Sequence, residues 1–163
     1  MDIYSSYPRR ARRAGVARDA FGTRQFGDFK CCQCGLAVSA DPLHSGVQHR
    51  NHCPYCLWSR HVDLAATGDR LCACKGPMPP VGLCFKRRQK KYASQRPGEL
   101  MLVHRCQLCG AVSLNRVAAD DNPAALWAVY ESALAAPVAL PGIDLPDAEQ
   151  GARLRERLLA CLG

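Results

Sequence analysis

Three short apolar stretches and two longer periodic ones stand out from an otherwise polar chain of 163 residues. Val81-Gly82-Leu83-Cys84-Phe85, Leu100-Met101-Leu102-Val103 and Ala111-Val112-Ser113-Leu114 have the length and composition of strands. Between the first two, Lys86 to Gly98 reads as an exposed basic hairpin loop. Residues 117–163 are rich in Ala and Leu. Asn122-Pro123 marks a helix start, with Asn as N-cap and Pro in the first turn. Leu126, Val129, Tyr130 and Ala133 share a face, and Pro137 ends this helix. A second helix is predicted from Asp147 to Leu162, with Leu154, Leu158 and Leu162 at i, i+4 and i+8. These stripes are read as packing surface rather than a cofactor site, and the second helix is a candidate docking element for a protein partner. Residues 1–27 show no sustained apolar period. Arg9, Arg10, Arg12, Arg13, Arg18 and Arg24 lie there among Ser, Ala and Gly, the pattern of a disordered basic arm.

The apolar fraction is 48%, but aromatics are only 7%, so the middle of the chain lacks the makings of a large conventional core. Small domains of this kind fold with help from disulfides, metals or oligomerisation. Eleven cysteines are available. No apolar h-region follows Met1 and no run is long enough to span a bilayer, so a reducing cytoplasm without membrane partners is expected. In that setting closely spaced cysteines read as metal ligands. A mitochondrial leader is disfavoured because the arm lacks an apolar stripe.

Two cysteine pairs carry the strongest signal. Cys31-x-x-Cys34 is followed, 18 residues later, by Cys53-x-x-Cys56. That is zinc-ribbon spacing, and four thiolates make a closed tetrahedral structural site. Cys32 must point away, since neighbours in a tight knuckle cannot both reach one metal. A second knuckle, Cys106-x-x-Cys109-Gly110, echoes Cys31-x-x-Cys34-Gly35, and glycine there permits positive φ. The remaining ligands of a second zinc must come from Cys72, Cys74, Cys84, His61 and His104. Cys74 precedes Lys75-Gly76, a plausible tight turn. His104 lies two residues before Cys106, on the same face of a continuing strand. Cys74, Cys106, Cys109 and His104 are therefore expected, with Cys72 as the main competitor for the fourth place. Cys161 reads as an ordinary small hydrophobe. The fold expected is small α+β: a tandem zinc-ribbon or knuckle module of short antiparallel strands, with a basic disordered N-terminal arm and C-terminal helices. Its divisions fall at 1–27, 28–121 and 122–163.

Several segments together resemble a known family. Arg50-Asn51-His52-Cys53-Pro54, Ser59-Arg60-His61-Val62-Asp63, Gly68-Asp69-Arg70, Gly76-Pro77-Met78, His104-Arg105-Cys106 and Asn115-Arg116 through Asp120-Asp121-Asn122 look, in order, like the prokaryotic RNHCP domain. The resemblance covers about residues 28–125. It implies a domain of unassigned function in a bacterial or archaeal cytoplasm, favours Cys74 over Cys72 as ligand, and marks His52, His61, Asp63 and Arg116 as positions of interest.

Charge suggests what the module meets. Residues 28–116 carry thirteen Lys or Arg against five acids, while residues 117–163 carry three Arg against seven acids. Positive charge concentrated on the cysteine-bearing module favours a polyanionic partner. The leading expectation is a non-catalytic zinc module that binds RNA, in association with the ribosome. Its candidate contacts are Arg50, Asn51, His52, Arg60, Lys86, Arg87, Arg88, Lys90, Lys91, Arg105 and Arg116, with Tyr55, Trp58 and Tyr92 available for stacking. Trp58 serves equally well as a cover for the metal site. The alternative is an HNH-like nuclease, with His52 as general base and His61 and Asp63 holding a catalytic metal. Against it stands the simpler reading of both histidines as hydrogen-bond donors around zinc. A third reading is a protein-interaction adaptor that docks through the last helix.

Overall fold

Paired two-residue segments lead into a larger sheet and two helices. The computed structural model describes residues 27–86, 98–140, 143 and 146–160. β1 (Phe29–Lys30) pairs antiparallel with β2 (Ala37–Val38), and a single turn, α1 (Pro42–Ser45), follows. β3 (Ser59–Arg60) pairs with β4 (Pro77–Met78). The three apolar stretches become β5 (Pro80–Phe85), β6 (Leu100–Arg105) and β7 (Val112–Arg116), an antiparallel sheet with β6 in the centre. α2 (Pro123–Ala135) and α3 (Ala148–Ala160) complete the fold. The architecture is the small α+β arrangement expected. Residues 1–26 of the basic arm predicted over 1–27, residues 87–97 of the basic loop, Cys161 and Leu162 lie outside the described residues.

The register of the sheet explains its two apolar layers. Leu83 pairs with Leu102, and both face a cluster completed by Leu57, Leu126, Tyr130, Leu154 and Leu158. Cys84 pairs with Met101 one position along and faces the other way, where Val103 and Leu140 join them. Both faces of β6 are thus covered, which is why its apolar run does not alternate with polar residues. Burying a leucine side chain contributes about 1.5–3 kcal/mol, so the leucines of α2 and α3 hold the helices to the sheet. The first cluster draws residues from both sides of position 121.

Local chemistry sets the helix entry. The Asn122 side chain accepts from the backbone N–H groups of Ala124 (2.9 Å) and Ala125 (3.2 Å), and Pro123 occupies the first turn. Tyr130 of α2 donates its hydroxyl to the Asp147 carbonyl just before α3 (3.0 Å). No helix among the described residues is long and apolar enough to cross a membrane.

Candidate metal centres and the cleft beside them

Three knuckles share one hydrogen-bond pattern. The first cysteine of each receives at its carbonyl an N–H from four residues on, and donates its own N–H to a carbonyl five residues on. The pairs are Gly35 and Leu36 for Cys31, Leu57 and Trp58 for Cys53, and Gly110 and Ala111 for Cys106, at 2.8–3.2 Å. The position four residues on adopts positive φ in each: +74° at Gly35, +61° at Leu57 and +74° at Gly110. Glycine takes this conformation freely, whereas a residue with a side chain strains at roughly 1–2 kcal/mol. Leu57 takes it because its side chain is fully buried in the core.

The knuckles bring two donor sets together. Cys31, Cys34, Cys53 and Cys56 form one, and His61, Cys74, Cys106 and Cys109 the other, with all ligand atoms of each set within 4.8 Å of one another. In the first, Cys31 Sγ lies 3.5 Å from Cys56 Sγ, and Cys34 Sγ lies 3.6 Å from Cys53 Sγ. In the second, Cys74 Sγ lies 3.7 Å from Cys106 Sγ, and Cys109 Sγ lies 3.2 Å from His61 Nδ1. A tetrahedron with zinc–sulfur bonds of about 2.3 Å has edges of about 3.8 Å, so both sets fit zinc closely. No described cysteine is in a disulfide. Gly76 is required beside the second set, because a Cβ there would stand 2.7 Å from Cys106 Sγ.

The electrostatics favour metal capture. Burial raises the Cys106 thiol, but N–H groups of Cys109 and Leu108 and the thiols of Cys109 and Cys74 outweigh it and bring it down to about 6. At Cys31 burial is likewise outweighed by the N–H groups of Cys34 and Gln33, and its thiol falls to about 7. Burial instead raises Cys56. Each set therefore contains one thiol whose ionised, metal-binding form its surroundings favour, and metal binding at such a set releases protons. Thiolates with at most one imidazole, four protein ligands in all, make closed structural zinc sites.

The fourth ligand of the second set is His61, a correction to the expectation of His104. β6 ends at Arg105 and Cys106 opens the knuckle turn, so strand alternation does not carry from 104 to 106. His104 instead points into the core, 0% exposed. Its Nε2–H donates to the Leu57 carbonyl (2.7 Å), and its Nδ1 accepts from the Asn115 amide (2.8 Å). Burial lowers its pKa to about 3, so it remains neutral. His104 thus braces Leu57, the one knuckle residue forced into positive φ without being glycine. Cys72 is buried and donates its N–H to the Val62 carbonyl (2.9 Å), and Cys84 packs in the sheet core.

Arg50 and His52 correct a second expectation. Both were candidate phosphate contacts, yet they are 2% and 1% exposed. Arg50 donates to both oxygens of Asp120 (2.6 and 2.7 Å) and to Asp121 (3.1 Å). His52 Nε2 donates to both oxygens of Asp121 (3.0 and 2.9 Å), which also accepts the Ala118 N–H (2.8 Å). Burial alone would lower the Arg50 pKa, but the two aspartates raise it above its ordinary value. The cluster pins the segment ahead of α2 to the first metal site, where the Asn122 N–H also donates to the Pro54 carbonyl (2.8 Å). His52 therefore cannot serve an external substrate as general base. His61 faces the thiols, and Asp63 accepts N–H groups of Gly68 and Arg70 (2.8 and 3.1 Å), so the three do not converge on a nuclease centre.

The other candidate contacts divide. Arg60, Lys86, Arg105 and Arg116 are exposed, with Arg116 paired to Glu99 at 2.9 Å. Asn51 is half-buried, and its carbonyl accepts the Ser59 hydroxyl (2.8 Å). Arg87, Arg88, Lys90, Lys91 and Tyr92 lie outside the described residues. Tyr55 is 57% exposed. Phe29 and Trp58 pack against the cluster of Cys31, Val38 and Cys53, and both also line a cleft of about 360 Å³. Lys30, Arg60 and Arg70 line the same cleft with the ion-paired Arg50, and among the described residues no acidic side chain does. Trp58 thus covers the metal site and lines a surface cleft at once.

A family model described as the RNHCP domain matches residues 26–127, well over half of the chain. The chain belongs to the RNHCP domain family. No curated protein and no solved structure matches it. The matched segment contains every ligand of both donor sets and the Arg50–His52–Asp120–Asp121 cluster. Within this RNHCP module, sequence reasoning missed Asp120 and Asp121 as partners of the collar, and Phe29, Lys30 and Arg70 as cleft walls. It also gave no role to Asp69, which accepts four backbone N–H groups, those of Leu64, Ala65, Ala66 and Leu71. These bonds, the one to Ala66 first, hold its carboxyl well below the usual range and fold the loop that delivers Cys74. Only the last signal was readable locally, since an Asp next to Gly in a turn is a habitual N–H acceptor.

Proposed function

We propose that this protein is a zinc-scaffolded RNA-binding module, acting by binding rather than catalysis, with ribosomal RNA as its expected target. The observation that carries the reading is the cleft beside the first donor set. Lys30, Arg60 and Arg70 line it together with Phe29 and Trp58, with no acid among the described residues that line it. Cations fixed at set distances serve phosphates, and aromatic faces serve unpaired bases. Closed donor sets and the engagement of His52 with Asp121 support binding over bond cleavage. Thiolate-rich zinc sites suit a reducing compartment such as the cytoplasm.

Gel-shift titration against ribosomal RNA, with co-sedimentation on ribosomal subunits, tests the proposal. Affinity should fall steeply between about 50 and 200 mM salt, by about a thousandfold if some six phosphates are contacted. Arg60→Glu should weaken binding while leaving zinc content intact. Absence of binding to any RNA at low salt overturns the reading.

A further inference from the structure

We infer that the cleft beside the first donor set takes one unpaired nucleotide of an RNA single strand, its base against Trp58 and its phosphates between Lys30 and Arg60. The inference rests on the RNA-binding reading and names the part of the RNA that the cleft accepts. Trp58 and Phe29 each bury one side against the thiolate cluster and leave another to the cleft. A ring held in place by a metal site loses little further freedom when a base stacks on it. The cations come from different elements, Lys30 from β1 and Arg60 from β3, and both are exposed. Arg70 is less free: it donates to the Arg50 carbonyl (2.9 Å) and stands 3.5 Å from Asp63.

Size and shape select the single strand. The cleft holds about 360 Å³, near the lower end of the roughly 300–1,000 Å³ range of small-ligand pockets. That is room for a nucleotide and not for a duplex, in which base faces are already stacked and unavailable. The thiol of Cys32, which is not a metal ligand, also lines the cleft and donates to the Ser59 carbonyl at 3.4 Å. It supplies a chemical probe of occupancy.

The experiment uses the full zinc-loaded chain with Trp127→Phe, which leaves Trp58 as its one tryptophan. An unstructured oligoribonucleotide should quench Trp58 emission along the same curve as its binding, and should slow alkylation of Cys32. The matching RNA duplex should do neither at equal concentration. In an otherwise unaltered chain, Trp58→Leu should weaken single-strand binding by about 5- to 150-fold, the contribution of one stacked base, and Trp58→Phe should retain most of it. If Trp58→Leu loses zinc, the emission measurement decides alone, because it leaves the cleft intact. Salt-sensitive RNA binding with unchanged Trp58 emission overturns this inference and leaves the RNA reading standing. A free mononucleotide binding as tightly as the strand overturns the assignment to a strand. Absence of all RNA binding overturns both readings.

Discussion

The outermost ligands of the first donor set, Cys31 and Cys56, are 25 positions apart, whereas His61 and Cys109 of the second are 48 apart. The first set joins two adjacent knuckles and gathers a small local cluster around Cys31, Val38 and Cys53. The second ties the end of β3, the loop carrying Cys74 and the β6–β7 hairpin to one point. One donor set therefore closes a short segment, and the other joins segments far apart along the chain. The Arg50–Asp120–Asp121–His52 cluster performs a fastening task without metal, linking the first knuckle pair to the start of α2.

The harshest way to break this comparison is to remove both metals. Structural zinc contributes about 10–16 kcal/mol in small zinc-binding peptides, against a total domain stability of about 5–15 kcal/mol. A strong chelator should abolish cooperative unfolding and make the ligand thiols reactive. Retained near-ultraviolet dichroism after complete zinc removal would contradict it. The two sites separate under single substitutions. Cys53→Ser and Cys106→Ser should each lower the zinc content from two to one. Hydrogen exchange should then show Cys53→Ser exposing β1 and β2 while the sheet stays protected, and Cys106→Ser loosening the sheet as well. Equal protection patterns in the two variants would remove the distinction between local and fastening sites.

Smaller effects sharpen the picture. Asp121→Ala leaves Arg50 and His52 buried without full compensation, and breaking a buried ion pair in this way costs about 3–5 kcal/mol. Denaturant unfolding should register that loss with both zinc ions retained. His104→Ala should cost about 1–3 kcal/mol, since it leaves the Leu57 carbonyl and the Asn115 amide without their partner, and should also retain both zinc ions. His61→Ala, by contrast, should lose the second zinc. Loss of zinc in the His104 variant would restore His104 as a ligand.

Legibility followed distance along the chain. The first donor set was readable because its four thiols come as two close pairs, and spacing alone limits what such pairs can do. Asn122-Pro123 was readable as a helix start because a cap bonds to N–H groups two and three residues away. The strand segments were readable because both faces of the central strand are apolar. At His104 the same local logic failed, since alternation was carried one residue past the end of β6. Leu57 was illegible as a positive-φ residue, because its burial in a distant core, rather than its type, puts it there.

By itself, the sequence determined that the chain is a small α+β protein built around paired thiols, with a positively charged module and a helix capped at Asn122. These properties depend on neighbours within a few residues and on composition, both of which are written in order along the chain. Only the tertiary structure decided that His61 rather than His104 completes the second site, and that Arg50 and His52 face inward to Asp120 and Asp121 while Lys30 and Arg60 share an open cleft. Each of those outcomes depends on which distant segment arrives beside a side chain. An arginine that looks available in sequence is buried once two carboxylates some 70 positions away meet it.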